Sequence, residues 1–287
     1  MMKNKSFCAF ILTHGRAENV KTYNVLRDQN YTGMIRLVVD DEDADLPRYR
    51  EIYGSEVIVF SKDEAKKLFD PMDNFNERRT ITFARNICWK LAESLNVKNF
   101  VELDDDYSIF GFRYNRKRQF ITDKAAQDLD AVFDCFVDFL NATPTTFIAM
   151  AQNGDFIGGG KSVLGSKIFL KRKAMNSFFC KTDTPCYFRG TFNEDVNSYT
   201  TYGNRGVLYF THNVVSLHQG ITQSNAGGIT EAYKRFGTYV KAFYTVMSAP
   251  SCTKVSMMGN TIETQRIHHK ISWKYAVPKI LDERWKK

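Results

Sequence analysis

Three consecutive aspartates, Asp104 to Asp106, stand between two short apolar runs of the chain. Adjacent carboxylates repel one another, so their burial requires a nearby cation. If a strand ends here, side-chain alternation points Asp104 and Asp106 in one direction and Asp105 in the other. Such an Asp-x-Asp pair suits Mg²⁺ or Mn²⁺, which prefer oxygen ligands and keep positions open for substrate phosphates. A solvated acidic turn is the alternative interpretation of the triplet taken alone.

A second acidic pair, Glu194 and Asp195, is a candidate for general base catalysis. A carboxylate close to a metal and to phosphates is held ionised and can take the proton of a hydroxyl. The alternative is the acidic first turn of a helix that Asn193 caps. His218 follows an apolar run, where a neutral imidazole would suit Mn²⁺ as a further ligand, although a lone histidine is also often structural.

Basic and aromatic residues are mixed in the run from Phe112 to Phe120, directly after the aspartates. Lysine and arginine neutralise phosphates and aromatic rings stack on bases, so this composition is typical of nucleic-acid binding. A solvated hairpin is the alternative, but the adjacent metal candidate favours the functional interpretation. The predicted DNA-binding residues are Arg113, Arg116, Lys117 and Arg118.

The elements that must position these residues alternate between strands and helices in the first part of the chain. Strands are predicted at 6–13, 35–41, 56–60 and 99–103, and a helix with one apolar face is predicted at 77–95. This alternation indicates an α/β fold, with a mostly parallel sheet flanked by helices. Ligands bind at the carboxyl ends of strands in such sheets, which is where Asp40 and Asp104 fall.

The second half of the chain is predicted to elaborate this core. An amphipathic helix is predicted over 123–140, capped by Thr122 or Asp123. A strand at 147–152 precedes a glycine-rich loop at 154–165, and another amphipathic helix is expected at about 229–247. Because no linker or internal repeat interrupts the sequence, we expect a single domain over residues 1–287.

Composition limits the classes of function. The 287 residues include 40 lysines and arginines against 32 acids, and the formal net charge of +8 is compatible with an anionic partner. The sequence has no run of about 18 apolar residues, so no membrane partner is expected. Its N-terminus is predicted to be a buried strand rather than a signal peptide. Six scattered cysteines without C-x-x-C spacing indicate reduced thiols and a cytoplasmic location.

Several of these motifs occur in an order that resembles the GT-A fold of nucleotide-sugar-dependent glycosyltransferases. They are Thr-His-Gly-Arg at 13–16, Val-Asp-Asp at 39–41, Ala-Arg-Asn at 84–86, Glu-Leu-Asp-Asp-Asp at 102–106, Glu-Asp at 194–195 and His-Gln-Gly at 218–220. The segments 188–195, 218–220 and 266–273 are more narrowly similar to a phage family. Its members are glycosyltransferases that modify hydroxymethylated pyrimidines in DNA, and they include the TET-associated glycosyltransferases.

The resemblance implies that residues 1–110 bind the nucleotide sugar and that residues 111–287 bind the acceptor. The donor is expected to be linked to UDP and to carry glucose or arabinose. The residues implied in binding it are Thr13, Arg16, Asp40, Asp41, Arg85 and Asp104. Of these, Asp40 is expected to face the base.

The resemblance also implies a metal site and a base. Asp106 and Asp104 would hold Mn²⁺ or Mg²⁺, with His218 completing the shell, and the metal would stabilise the departing diphosphate. Asp195 or Glu194 would deprotonate the acceptor hydroxyl. The implied acceptor is DNA in the cytoplasm of a phage-infected host.

Three other functions remain open at this stage. A GT-A transferase could act on a polysaccharide or protein instead of DNA. A metal-dependent nuclease or nucleotidyltransferase would use the aspartates as a two-metal site and would need no sugar donor. A non-catalytic DNA-binding protein would retain all of its activity after Asp106→Ala. The sequence leaves the stereochemical outcome and the oligomeric state open.

Overall fold

The computed structural model describes residues 1–219, 235, 237, 239–259 and 265–277. The strands are β1 (Phe7–Leu12), β2 (Met34–Asp40), β3 (Val57–Phe60), β4 (Asn99–Asp104), β5 (Tyr107–Tyr114), β6 (Phe120–Ala125), β7 (Phe147–Gln152), β8 (Leu170–Lys171), β9 (Phe178–Lys181), β10 (Tyr209–Gln219), β11 (Thr253–Met258) and β12 (Arg266–Ile271). The helices are α1 (Lys21–Asp28), α2 (Leu46–Tyr53), α3 (Lys62–Lys66), α4 (Thr82–Ser94), α5 (Leu129–Ala142), α6 (Glu194–Thr201) and α7 (Val240–Ser248).

One large sheet organises the chain. Its strands follow the order β3-β2-β1-β4-β9-β7-β10-β5-β6, and β8 pairs with β10. All of these strands except β5, β8 and β9 run in the direction of β1. The predicted α/β class with a mostly parallel sheet is therefore confirmed. The strands β11 and β12 pair separately as an antiparallel two-stranded sheet.

The central strand β1 shows why this sheet needs helices on both faces. Every residue of β1 is buried, and alternate side chains enter two different cores. Ile11 packs in the core that contains Phe133 of α5, whereas Phe10 packs in the core that contains Trp89 of α4. A strand covered on both faces appears in sequence as a continuous apolar run, which explains why it was predictable.

The predicted helix boundaries need three corrections. The helix expected at 123–140 begins at Leu129, because residues 120–125 pair with β5 as the strand β6. The side chain of Asp128, not Thr122 or Asp123, caps it by accepting from the Ala131 amide. The helix expected at 77–95 spans 82–94. Of the helix expected at 229–247, α7 covers the part from Val240 onward, and residues 229–234, 236 and 238 lie outside the described residues.

Two predictions from composition, on membrane spans and on cysteines, can be compared with the described residues. No helix in the described ranges is both long and apolar enough to cross a membrane. The six cysteines are all free thiols, and only Cys135, on α5, is exposed. Burial raises the pKa of the Cys8 thiol to about 12, so this side chain packs as a small apolar group.

Candidate active site

A cavity of about 280 Å³ opens where β1, β2, β3 and β4 end, and the start of α6 forms part of its wall. The acids that line it are Asp40, Asp104, Asp105, Asp106 and Glu194. Other polar lining residues include Thr13, His14, Arg16, Lys62, Arg78, Arg79 and Thr80. The fold thus brings most of the residues predicted to bind the donor, together with one member of the acidic pair, around a single space.

The middle aspartate is bound by the loop that follows β1. The Thr13 hydroxyl donates to Asp105 Oδ2 at 2.7 Å, and Arg16 Nη1 donates to Asp105 Oδ1 at 2.7 Å. The Tyr49 hydroxyl also contacts the Thr13 hydroxyl and accepts from the Arg16 amide at 2.9 Å. Since both oxygens of Asp105 are taken by protein donors, this side chain joins β4 to the β1 loop and leaves metal binding to its neighbours.

Arg85 connects the aspartates to the acidic pair. This residue is only 2% exposed and does not line the cavity. Its Nη2 donates to Asp104 Oδ1 at 3.0 Å, and its Nε donates to Glu194 Oε1 at 3.1 Å. One guanidinium therefore fixes the distance between a carboxylate at the end of β4 and a carboxylate at the start of α6.

A second carboxyl lies behind this guanidinium. Glu102 is completely buried, and its Oε2 is 3.6 Å from Arg85 Nη1. Among the described residues, neither oxygen of Glu102 has a hydrogen-bond partner. Burial, which Arg85 only partly offsets, raises the pKa of Glu102 to about 8. At neutral pH the positive charge of Arg85 is therefore balanced by the acids in front of it rather than by Glu102.

Asp104 and Asp106 have the properties of ligands for a divalent cation. Burial raises the pKa of Asp104 to about 6, with Arg85 opposing this rise and Asp106 adding to it. Burial and then the charge of Asp105 also raise the pKa of Asp106. In the described part of the chain, no other residue forms a hydrogen bond or an ion pair with the Asp106 carboxylate. Two crowded, partly desolvated carboxylates of this kind fit Mg²⁺ or Mn²⁺.

The far end of the cavity is built around Asp40. His14 Nδ1 lies 2.6 Å from Asp40 Oδ2, and Lys62 Nζ lies 2.9 Å from Asp40 Oδ1. Although burial opposes ionisation, the hydrogen bonds with His14 and Lys62 hold the pKa of Asp40 below its usual value. Asp41 is exposed, does not line the cavity, and accepts from the Lys62 amide at 3.0 Å. Sequence reasoning missed Lys62, whose only signal is its position just after a short strand.

The acidic pair begins α6. Glu194 lines the cavity, whereas Asp195 is 9% exposed and accepts from the Val196 amide at 2.7 Å. Burial, and then the charge of Glu194, raise the pKa of Asp195. Asn193 precedes the pair in a left-handed conformation, with a φ of 59°, which asparagine tolerates better than most residues. Its amide donates to Thr245 Oγ1 of α7 at 2.8 Å.

The structure separates His218 and Arg113 from the cavity. His218 Nε2 pairs with Asp123 Oδ2 and lies 3.1 Å from Arg113 Nη2. Arg113 is 5% exposed, and its Nε is 2.6 Å from Asp123 Oδ1. These three side chains form a polar cluster on β5, β6 and β10, in which Arg113 and Asp123 are an ion pair. The next residue, Gln219, lines the cavity in place of His218. The remaining predicted DNA contacts, Arg116, Lys117 and Arg118, are exposed in the turn between β5 and β6.

Comparisons with known proteins give one family and several structural likenesses. Residues 7–228 match the family described as TET-Associated Glycosyltransferase. No curated protein matches the chain. Glucosyl-3-phosphoglycerate synthase from Mycobacterium tuberculosis, in complex with Mg²⁺ and UDP, has a TM-score of 0.47 and 8% identity, covering 94% of this chain and 91% of that one. S. aureus TarS 1–349 has a TM-score of 0.45 and 13% identity, covering 84% of this chain and 64% of that one.

Proposed function

The chain belongs to the TET-associated glycosyltransferase family, and from this premise we propose that it transfers a sugar from a UDP-linked donor to a 5-hydroxymethylpyrimidine in DNA. The bond between Arg85 and both Asp104 and Glu194 carries the proposal. It holds Asp104, a proposed metal ligand, and Glu194 of the acidic pair in fixed positions on the wall of one cavity. A glycosyltransferase needs both groups near one sugar, because the diphosphate leaves the anomeric carbon and the acceptor hydroxyl that attacks it must lose a proton.

The donor occupies the cavity in this proposal, and residues 1–110 supply most of its contacts. The base lies towards Asp40, and the diphosphate lies towards Asp104 and Asp106. When bound to these two aspartates, Mg²⁺ or Mn²⁺ acts as a Lewis acid that stabilises the charge of the departing diphosphate. Asp105 keeps the β1 loop against β4, so that Thr13 and Arg16 are already in place beside the donor.

The acceptor hydroxyl reacts at the wall formed by α6. Its oxygen forms a bond to the anomeric carbon, and the bond from that carbon to the diphosphate oxygen breaks with its electron pair leaving on UDP. The hydroxyl proton passes to Asp195 or Glu194, of which Glu194 lines the cavity and Asp195 is buried next to it. The raised pKa of Asp195 suits a base that works near neutral pH. Glu194 accepts from Arg85, which fixes the start of α6 and its carboxylate beside the reacting centre.

The hairpin between β5 and β6 supplies contacts to DNA phosphates. Arg116, Lys117 and Arg118 are exposed there, whereas Arg113 supports the hairpin from inside. β5 starts at the aspartates, and its eight residues reach up to about 23 Å from them at ~3.3 Å per residue. That length corresponds to about seven base pairs of duplex DNA at ~3.4 Å each. A duplex with its acceptor base at the cavity therefore extends far enough to meet the hairpin.

Mass spectrometry of nucleosides tests the proposal. Duplex DNA with 5-hydroxymethylcytosine is incubated with the protein, Mn²⁺ and a panel of UDP-sugars, then digested and analysed. We expect one glycosylated nucleoside with at least one donor, no product on the same duplex with unmodified cytosine, and on the order of 100-fold less product with Asp106→Asn. Transfer to a glycan or protein acceptor with no product on DNA would contradict the choice of acceptor. Strand nicking without any donor would indicate a nuclease instead.

A further inference from the structure

Asn193, the residue directly before the acidic pair, is bound by two elements from the last part of the described chain. Its amide nitrogen donates to Thr245 Oγ1 at 2.8 Å and to the Lys241 carbonyl at 3.2 Å, both on α7. The same nitrogen lies 3.2 Å from His269 Nδ1 of β12. None of these three partners lines the cavity, whereas Asn193 does. The contacts therefore reach the site from behind its wall.

The chemistry of the partners fixes the direction of these hydrogen bonds. A carbonyl oxygen only accepts, so the end of the Asn193 side chain that faces the Lys241 carbonyl must be the NH2 group. The same nitrogen then donates to His269, whose Nδ1 accepts and carries no proton. Burial, and then the charges of His268 and Lys241, lower the pKa of His269 to about 4, which keeps its imidazole neutral at physiological pH.

The backbone of Asn193 is part of the first turn of α6. Its left-handed conformation, with a φ of 59° and a ψ of 36°, turns the chain directly before Glu194 and Asp195. Its carbonyl accepts from the Asn197 amide at 2.9 Å, which is the first backbone hydrogen bond of this helix. Because the side chain is bound to α7 and β12 while the backbone belongs to α6, a displacement of the Asn193 amide also moves the two carboxylates.

The helix α7 packs directly on the segment that carries Asn193. The rings of Phe192 and Tyr244 are both buried and meet edge to face, with their centroids 5.1 Å apart. Burial raises the pKa of Asp195, and the charge of Lys241 on α7 opposes this rise. The helix therefore acts on the acidic pair both through the Asn193 side chain and through a nearby positive charge.

We propose that Thr245 and His269 are positioning residues for the transfer reaction. Through the Asn193 amide they set the direction in which α6 presents Glu194 and Asp195 to the acceptor hydroxyl. A misplacement of about 1 Å in a reacting group costs on the order of 100-fold in rate, so residues that do not touch the substrate affect turnover in this way. The inference rests on the proposed function, because it assigns a role in that same site.

Paired variants at both positions test this role. Thr245→Val removes the hydroxyl at nearly constant shape, and Thr245→Ser retains it. His269→Leu removes the acceptor, whereas His269→Asn places an amide oxygen close to the position of Nδ1. Transfer to 5-hydroxymethylcytosine DNA gives kcat and the KM for the UDP-sugar. We expect kcat to fall roughly 10- to 100-fold in Thr245→Val and His269→Leu with an unchanged donor KM, and most of it to return in Thr245→Ser and His269→Asn.

A control variant and a second measurement separate positioning from general loosening of the fold. Thr201→Val removes a hydroxyl that donates to the Ser248 carbonyl, which also links α6 to α7 but at the far end of α6 from the acidic pair. This variant should keep the wild-type kcat. Hydrogen exchange of the α6 amides, followed by mass spectrometry, should be faster in Thr245→Val and His269→Leu than in the wild type and the conservative variants. The His269 pair decides the question if Thr245→Val, at a completely buried position, does not fold.

The possible results distinguish this inference from the proposed function. Wild-type kcat in both Thr245→Val and His269→Leu overturns the inference, even if the wild type glycosylates DNA. An equal loss of kcat in Thr201→Val also overturns it, because weaker packing of α6 on α7 would then be the cause. If the wild type yields no glycosylated DNA with any donor, the proposed function fails. Exchange of the α6 amides then decides the inference: faster exchange that the conservative variants restore supports it, and wild-type exchange overturns it.

Discussion

Replacement of the buried carboxyl behind Arg85 tests the electrostatics of the site. Glu102→Gln keeps nearly the same shape and removes a group that ionises. In the folded protein the pKa of Glu102 is about 8, against an ordinary value of 4.5, because the side chain is completely buried. Between these two pH values the folded protein retains a proton that the unfolded chain has lost. Glu102 therefore makes the wild type less stable as the pH rises.

The size of this effect follows from the pKa difference. Each pH unit between the two values lowers the free energy of unfolding of the wild type by about 1.36 kcal/mol through this group. From pH 5.5 to pH 7.5 the wild type loses about 2.7 kcal/mol in this way, and Glu102→Gln does not. The stability of the variant relative to the wild type should rise by that amount across the window.

Urea unfolding followed by circular dichroism at half-unit pH steps measures this difference. Asp130→Asn is the matched control, because Asp130 is a buried acid whose pKa is lowered, whereas that of Glu102 is raised. Burial opposes the ionisation of Asp130, but hydrogen bonds from Thr32 lower its pKa below the usual value. The contribution of Asp130 to the free energy of unfolding is therefore already complete above the ordinary aspartate pKa. The difference in free energy of unfolding between Asp130→Asn and the wild type should therefore stay constant from pH 5.5 to 7.5. A constant difference for Glu102→Gln as well would refute the reasoning, since Glu102 would then be ionised in the folded state throughout.

Three further predictions concern the catalytic wall and the metal site. Asp106→Asn should lower transfer on the order of 100-fold and raise the Mn²⁺ concentration needed for half-maximal rate, which a metal titration of the transfer assay measures. Asp195→Asn should lower kcat by roughly 10²–10⁴-fold and remove the rise of kcat with pH on the acid side; an unchanged pH profile would exclude Asp195 as the base. Arg85→Met should destabilise the fold by about 3–5 kcal/mol in urea unfolding, because it leaves Asp104 and Glu194 without their cation, whereas Arg85→Lys should lose less.

The sheet was largely predictable from sequence, because buried strands are continuous apolar runs and their ends carry acids. The aspartate triplet and Asp40 were placed in this way at strand ends, and both line the cavity. The start of α5 was not predictable, since the segment 120–125 forms a strand only through its pairing with β5. Local sequence does not contain that partner, so tertiary pairing overrides the local helical pattern.

The roles of individual side chains depended on partners far away in sequence. His218 was predicted to be a metal ligand, but its imidazole pairs with Asp123, a residue that the sequence pattern assigned to a helix. Arg85 was predicted to hold the donor, but it is turned inward between Asp104 and Glu194. In each case the residue type was informative, whereas the direction of the side chain required the assembled sheet.

The position of β9 in the sheet has a consequence for synthesis on the ribosome. β9 lies between β4 and β7, although it follows β4 in the chain by about 77 residues. At ~5–20 residues per second, the edge of β4 remains unpaired for about 4–15 s after β4 itself has been made. An exposed edge of this kind can pair with another chain, so the nascent protein should depend on chaperones during this interval. Rapid expression should therefore favour aggregation, and slower translation between β4 and β9 should raise the soluble yield.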